Sequence, residues 1–295
     1  MRRITTLLLL TIAAGGCLWL DAANCQGAQE VKGPPVKPTG APNAEKLGWH
    51  LGCQAWTFNS GTFFQAVDKT AALGLRCIEA FPGQRIGEGV DGKMGPGMSA
   101  DAIAAVKKKL AARKVKLLNF GVTGIPGKEA DARKMFDWAR TMGIQTLVTE
   151  SNHDFYDKLC DEYKINIAFH NHPNSWPPDK VLKATKGRSK RIGACADTGH
   201  WMRAKFVPVD TVRKLKGRII SFHLKDLNEF GRGHDVPWGT GKGDVKAVLA
   251  EMHKQGFKGV FSIEYEHRFS LADLARCVKH FNDCAKQIAA EAKSR

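Results

Sequence analysis

Ile144-Gln145-Thr146-Leu147-Val148-Thr149-Glu150 is a short apolar and β-branched run that stops on a carboxylate. Its composition suits a buried strand, and it is too short for a helix of ordinary length. Outward along the chain the same design recurs. Arg191–Ala196 runs into Asp197 in "CADTGH", Ile219–Leu224 carries His223 in "SFHLKD", and Val260–Glu264 ends on Glu264 in "SIEYE". Four chemically competent side chains thus sit at the C-terminal ends of four predicted strands.

The rest of the chain fits one repeating scheme. Further strands are predicted at His50–Trp56, Arg76–Ala80, Val115–Phe120 and Ile165–His170. Amphipathic stretches alternate with them: Phe64–Leu73, Ala100–Arg113, Ala130–Met142, Asp154–Tyr163, a weak one at Lys180–Ala184, Val209–Leu215, Val245–Gln255 and Leu271–Ala292. Eight strands alternating with eight helices predict an α/β fold, a single (βα)8 TIM barrel over residues 47–295. A doubly wound open sheet would show a Gly-rich turn after its first strand, and "CQAWTFNSG" is not one.

In a closed parallel barrel all strand C-termini meet at one mouth. Glu150, Asp197, His223 and Glu264 would converge there as an oxygen-rich set suited to one divalent ion. Mn²⁺, Mg²⁺ or Co²⁺ fits best, and Zn²⁺ is admitted. Other polar residues belong to the same mouth. His170 and His172 in "FHNHP" share one strand face, His200 follows Asp197 by three residues, and Lys225 shares the face of His223. With Glu79 and Trp201 they are the candidates for substrate contact. "GTGKGD" (239–244) only faintly resembles a phosphate cradle and is read as the turn before the seventh helix.

The first 22 residues read as an export signal: Arg2 and Arg3, an apolar run from Ile4 to Ala14, then Leu18-Trp19-Leu20. Residues 23–46, rich in Pro and Gly, read as a flexible tether. The expected location is outside the cytoplasm, either periplasmic or membrane-associated through a lipid on Cys17. The chain has 8 cysteines and no CxxC pair, so a thiolate zinc site is disfavoured. Cys53, Cys77 and Cys195 fall inside predicted strands and read as small buried hydrophobes. The formal charge of +16 is high for a chain that is 43% hydrophobic and 25% charged. Scattered lysines on helix faces account for it without nucleic acid as a partner. Oligomeric state, self-association included, is left open.

The chain resembles the sugar isomerase/epimerase superfamily with the xylose-isomerase-like TIM barrel. The resemblance runs from Leu47 to about Phe281 and rests on "IEAFPGQ", "TLVTE", "AFHNHP", "CADTGHW", "FHLKD", "PWGTG" and "SIEYE". It implies that Glu150, Asp197, His223 and Glu264 bind one metal, that the two glutamates act as acid and base, and that His200 meets substrate hydroxyls. "FHNHP" and "FHLKD" also resemble the inosose dehydratase branch. Abasic-site endonucleases of the superfamily use three zinc ions and need histidines after the second and third strands, where this chain has "EAFPGQ" and "NFGVTG". The expectation is therefore a metal-dependent isomerase or epimerase acting on an unphosphorylated sugar or keto-sugar. A 3-keto-glycoside lyase or dehydratase with the same chemistry is the alternative. A sugar-binding protein with a vestigial site and a nuclease are the remaining readings.

Overall fold

The computed structural model describes residues 39–294. The signal segment, Cys17 and most of the expected tether lie outside the described residues. The tether expected as far as Lys46 is helical over its last five positions, Pro42–Lys46 (α1). Pro42 supplies the fixed φ of a first helical turn, Ala44 is buried, and the Asn43 N–H donates to Asn282 Oδ1.

Eight parallel strands close a barrel: β1 Trp49–Gln54, β2 Cys77–Ala80, β3 Lys116–Thr123, β4 Thr146–Thr149, β5 Asn166–His170, β6 Ile192–Asp197, β7 Ile219–Leu224 and β8 Gly259–Ile263. Spatial order follows chain order around the ring, with β8 pairing back onto β1 from Trp49↔Gly259 to Cys53↔Ile263. The intervening helices are α2 Phe63–Ala72, α3 Ala100–Arg113, α4 Glu129–Met142, α5 Tyr156–Tyr163, α6 Pro178–Thr185, α7 Thr198–Arg203, α8 Pro208–Lys214 and α9 Val245–Lys254, and α10 Leu271–Lys293 follows the last strand.

Local chemistry sets these boundaries. Thr62 and Gln65 form a capping box at α2, Ser270 and Asp273 another at α10, and Ser99 caps α3. β1 stops at Gln54, two residues before its predicted end, because Gln54 Oε1 accepts from the Trp56 N–H and tips Ala55–Phe58 into a 3₁₀ turn. The small hairpin Arg85–Gly87/Val90–Lys93 and α7 were not expected from the sequence.

The main core lies between barrel and helices, where Trp49, Phe222, Phe261 and Phe281 pack edge-on or stacked. The barrel interior is filled by two smaller groups: Cys77, Leu118 and Val260, then Val148, Ala168 and Cys195. The six described cysteines are free and buried, and two of them serve here as small apolar fillers. Small side chains low in the barrel matter for what lies above them. Alternate residues of each strand face inward, so Cys77 leads to Glu79, Val148 to Glu150, Ala168 to His170, Cys195 to Asp197 and Val260 to Glu264.

Candidate active site

The end of β6 is fixed from three sides. Asp197 Oδ1 accepts from the His200 N–H (2.7 Å) and so caps α7. Asn171 brackets Asp197 from β5, its Oδ1 accepting from the Asp197 N–H (3.0 Å) and its Nδ2 donating to the Asp197 carbonyl (3.0 Å). Thr198 Oγ1 exchanges hydrogen bonds with the backbone of Lys225, at 2.7 and 2.8 Å. The second oxygen, Asp197 Oδ2, has no hydrogen-bond partner among the described residues.

That oxygen is one of a group. His170, Asp197, His223 and Glu264 are buried and bring one ligating atom each within 4.8 Å of one another. His170 Nδ1 and Nε2, Asp197 Oδ2, His223 Nδ1 and Glu264 Oε2 are all buried without a hydrogen-bond partner. Buried polar atoms are rarely left this way. Oxygen and imidazole-nitrogen donors facing one point fit a divalent cation. The expected fourth ligand, Glu150, lies just outside this group. Its carboxylate rests against His172 Nδ1, with His170 Nδ1 at 3.7 Å, in a second cluster that shares His170 with the first.

His223 is positioned from below. Its Nε2 is 2.8 Å from Glu79 Oε1, and Glu79 is further held by Ser262 Oγ (2.8 Å) and Asn119 Nδ2 (3.3 Å). In the neutral imidazole the proton therefore sits on Nε2, and Nδ1 faces Glu264 Oε2 at 3.2 Å. A carboxylate behind an imidazole is the usual support for a metal-binding histidine. This corrects one expectation. Glu79 is fully buried beneath His223 and cannot reach substrate. Trp201 is corrected too: only 2% exposed, it packs into the core around the barrel.

Lys225 departs from expectation as well. Its ammonium is buried and lies 3.1 Å from Asp197 Oδ2, 2.9 Å from Glu264 Oε2 and 2.7 Å from Glu266 Oε2. A cation thus already stands among the carboxylates, so charge balance alone does not demand a metal. The case for one rests on the convergence of four ligating atoms within 4.8 Å of one another, those of His170 and His223 among them. Glu266 was missed by the sequence reading. It faces the same side as Glu264 two residues on, lines the cavity and accepts from Arg203 Nη1 (3.2 Å). Arg203 also reaches His200 Nδ1 (3.1 Å) and lies 3.6 Å from Asp235 Oδ2.

The electrostatics follow from this crowding. Burial opposes charge on Asp197, but His200, Lys225 and His170 outweigh it and hold its carboxyl well below the usual range. Burial likewise opposes charge on Glu264, and Lys225 and His223 bring it down to about 2. His170 and His172 hold Glu150 at about 2. Burial lowers His200 to about 4, so it is neutral at pH 7. His223 is pushed the other way. Burial disfavours its charge, yet Cys195, Glu79 and Glu264 raise it well above the ordinary imidazole value. A proton on Nδ1 competes directly with a metal. Metal affinity is therefore expected to weaken steadily as pH falls through neutrality, measurable as Mn²⁺ dissociation constants by calorimetry across pH.

Above these groups opens a cavity of about 300 Å³, lined on one wall by Trp56, Phe81 and Val122 and on the other by His172, His200, Glu264 and Glu266. Trp56 is 43% exposed and meets Phe81 edge-on at 5.0 Å. Among the described residues no Lys or Arg side chain lines it. The glycine-rich turn lies elsewhere. The N–H groups of Gly239, Gly241 and Gly243 all donate to the Asp226 carboxylate at 2.9–3.0 Å, so they hold the turn together and offer nothing to a phosphate.

Residues 67–284 match the family described as "Xylose isomerase-like TIM barrel". No curated protein matches the sequence. Among solved structures, an uncharacterised protein from Parabacteroides distasonis ATCC 8503 is 34% identical over 79% of this chain and 98% of its own, with a TM-score of 0.65. A D-tagatose 3-epimerase-like protein is 17% identical over 82% of this chain and 99% of its own (TM-score 0.63). A xylose isomerase-like TIM barrel protein from Mycobacterium smegmatis, solved in complex with magnesium, is 13% identical over 81% of this chain and 97% of its own (TM-score 0.65). The last two likenesses are of fold.

Proposed function

The chain belongs to the xylose isomerase-like TIM barrel family, and from that premise we propose that it is a divalent-metal-dependent isomerase or epimerase that moves a proton beside the carbonyl of an unphosphorylated sugar or keto-sugar. The observation that carries this reading is the convergence of ligating atoms of His170, Asp197, His223 and Glu264 within 4.8 Å of one another under an acidic, imidazole-lined cavity. Asp197, His223 and Glu264 would hold the ion, with His170 or Glu150 completing the set. When bound, it would supply Lewis-acid polarisation of a carbonyl and a neighbouring hydroxyl.

The protein's own groups do the rest. Trp56 and Phe81 offer an apolar wall to one face of a sugar ring. His200 is neutral, and Arg203 donating to Nδ1 fixes its proton on Nε2. Together with His172 it can meet hydroxyls. Glu150 and Glu264 are ionised at neutral pH, the state a base requires. One removes the proton next to the carbonyl; the same carboxyl, now protonated, can return it to the neighbouring carbon, whereas delivery to the opposite face requires the other glutamate to have first taken up a proton from solvent. The cavity lining without Lys or Arg supports a substrate without phosphate. The export-like N-terminus supports the same class, since sugar phosphates are chiefly cytoplasmic.

The test is proton NMR in D₂O with Mg²⁺, against ketoses, aldoses and 3-keto-glycosides. Deuterium is expected at the carbon beside the carbonyl. The product then separates epimerase, isomerase and lyase. Metal that binds without exchange on any of these substrates would overturn the reading.

A further inference from the structure

The turns that lead from helices into strands lie on the face of the barrel opposite the mouth. Between α1 and β8 these turns contain ten Lys or Arg residues and no Asp or Glu: Arg76, Lys114, Lys164, four within 186–191, Lys216, Arg218 and Lys258. Only Arg188 and Arg191 have a carboxylate within 4.0 Å, Asp157 at 2.7 Å and Asp161 at 3.9 Å. The segments that follow the strands instead carry more carboxylates than cations. The charge of the chain is therefore polarised along the barrel axis rather than scattered over helix faces.

Helix C-termini explain part of this, because each carries a partial charge of about −0.5 that favours a nearby cation. Nine helices end on this face, α10 included, which offsets roughly four to five of the ten charges. The remainder is a net positive field directed away from the active site.

Two further observations indicate what this face meets. The described chain begins there: Gly40 packs so closely on Gly74, in the turn between α2 and β2, that a Cβ on Gly40 would lie 2.5 Å from the Gly74 carbonyl oxygen. Residues 21–38 connect this point to the apolar sequence that begins at Ile4 behind Arg2-Arg3. Second, the exposed aromatics Trp56, Phe206 and Phe230 all lie in segments that follow strands. The basic face thus has no exposed aromatic platform of the kind that stacks single-stranded bases. Among the described residues no helix is long and apolar enough to cross a membrane, so contact by the barrel itself would be peripheral.

We propose that the strand-N-terminal face of the barrel rests on an anionic lipid surface and so turns the active-site mouth toward solvent. Each Lys or Arg held near such a surface contributes attraction that fades within a Debye length.

The full-length chain, bound to vesicles, tests this by amine acetylation read by mass spectrometry. On vesicles containing phosphatidylglycerol, Lys114, Lys164, Lys190 and Lys216 should be protected severalfold relative to pure phosphatidylcholine vesicles. Lys128, Lys205 and Lys242, in segments that follow strands, should label equally on both. Raising salt from 0.1 M to 1 M shortens the Debye length from about 10 Å to about 3 Å and should remove the protection. The triple variant Arg76→Glu, Lys186→Glu, Lys258→Glu should lose it, while Lys107→Glu, Lys108→Glu, Lys286→Glu on outer helix faces should keep it. Equal labelling of both faces on both vesicle types would overturn the proposal. So would protection by duplex DNA with none by phosphatidylglycerol.

Discussion

Lys225→Met is expected to lower the stability of the metal-free fold by about 3–5 kcal/mol at neutral pH. The Lys225 ammonium is buried among Asp197, Glu264 and Glu266, all within 3.1 Å. Burial alone would discharge it, but these carboxylates raise its pKa above the ordinary lysine value, so it stays charged. Methionine fills a similar volume and leaves the carboxylates uncompensated. The pH dependence has a definite sign. Lys225 has a raised folded pKa, so its contribution is complete below its ordinary value and is lost only in strong alkali. Glu264 is depressed from 4.5 to about 2, so its contribution is present above about 4.5 and fades as pH falls toward 2. The deficit of Lys225→Met should therefore be largest near neutrality and shrink over that acid window, as carboxylates that lost their partner become protonated. Thermal unfolding measured across pH reads both effects. Divalent metal gives a second readout, because a cation held by Asp197 and Glu264 replaces the missing charge. Mn²⁺ should raise the Tm of the variant more than that of the wild type. Equal stability of the two proteins at neutral pH would mean that the ammonium is dispensable.

The barrel was legible because each strand is a short, largely apolar run and several helices carry their own caps, as at Thr62, Ser99 and Ser270, so local and global preferences agree. The positions at strand ends were legible for the same reason, since a parallel barrel brings all such ends together whatever the side chains do. What lay beyond reach was depth. Glu79 and Glu150 both end inward-facing strand positions, yet Glu79 supports His223 from beneath and Glu150 leans outward against His172. That difference depends on strand stagger in the barrel, which no spacing along the chain encodes. Trp201 was assigned to the mouth by its place after Asp197, but α7 turns it into the core. Glu266 was within reach. It follows Glu264 by two, the period that had already paired His170 with His172.

Glu150→Gln and Glu264→Gln should each lower kcat by about 10² or more, the usual scale for a group that transfers a proton in the rate-determining step. The two variants should differ in a way that assigns roles. Glu264 belongs to the compact group of four ligating atoms, so its amide variant should bind metal more weakly as well as turn over slowly. Glu150 lies outside that group, and Glu150→Gln should keep much of its metal affinity while losing turnover. Measuring the Mn²⁺ dissociation constant beside kcat separates these cases. Loss of metal in both variants would make Glu150 the fourth ligand, with His170 as its support. The acid limb of the pH profile tests the same assignment independently. His170 and His172 hold the Glu150 carboxyl at about 2, so it remains ionised far below neutrality and cannot set a limb near pH 6. The competing proton is on His223, whose pKa is raised. The acid limb of kcat/KM should then report metal displacement, and higher metal concentration should move it toward lower pH. A limb that ignores metal concentration would place the titrating group on the substrate side of the cavity instead.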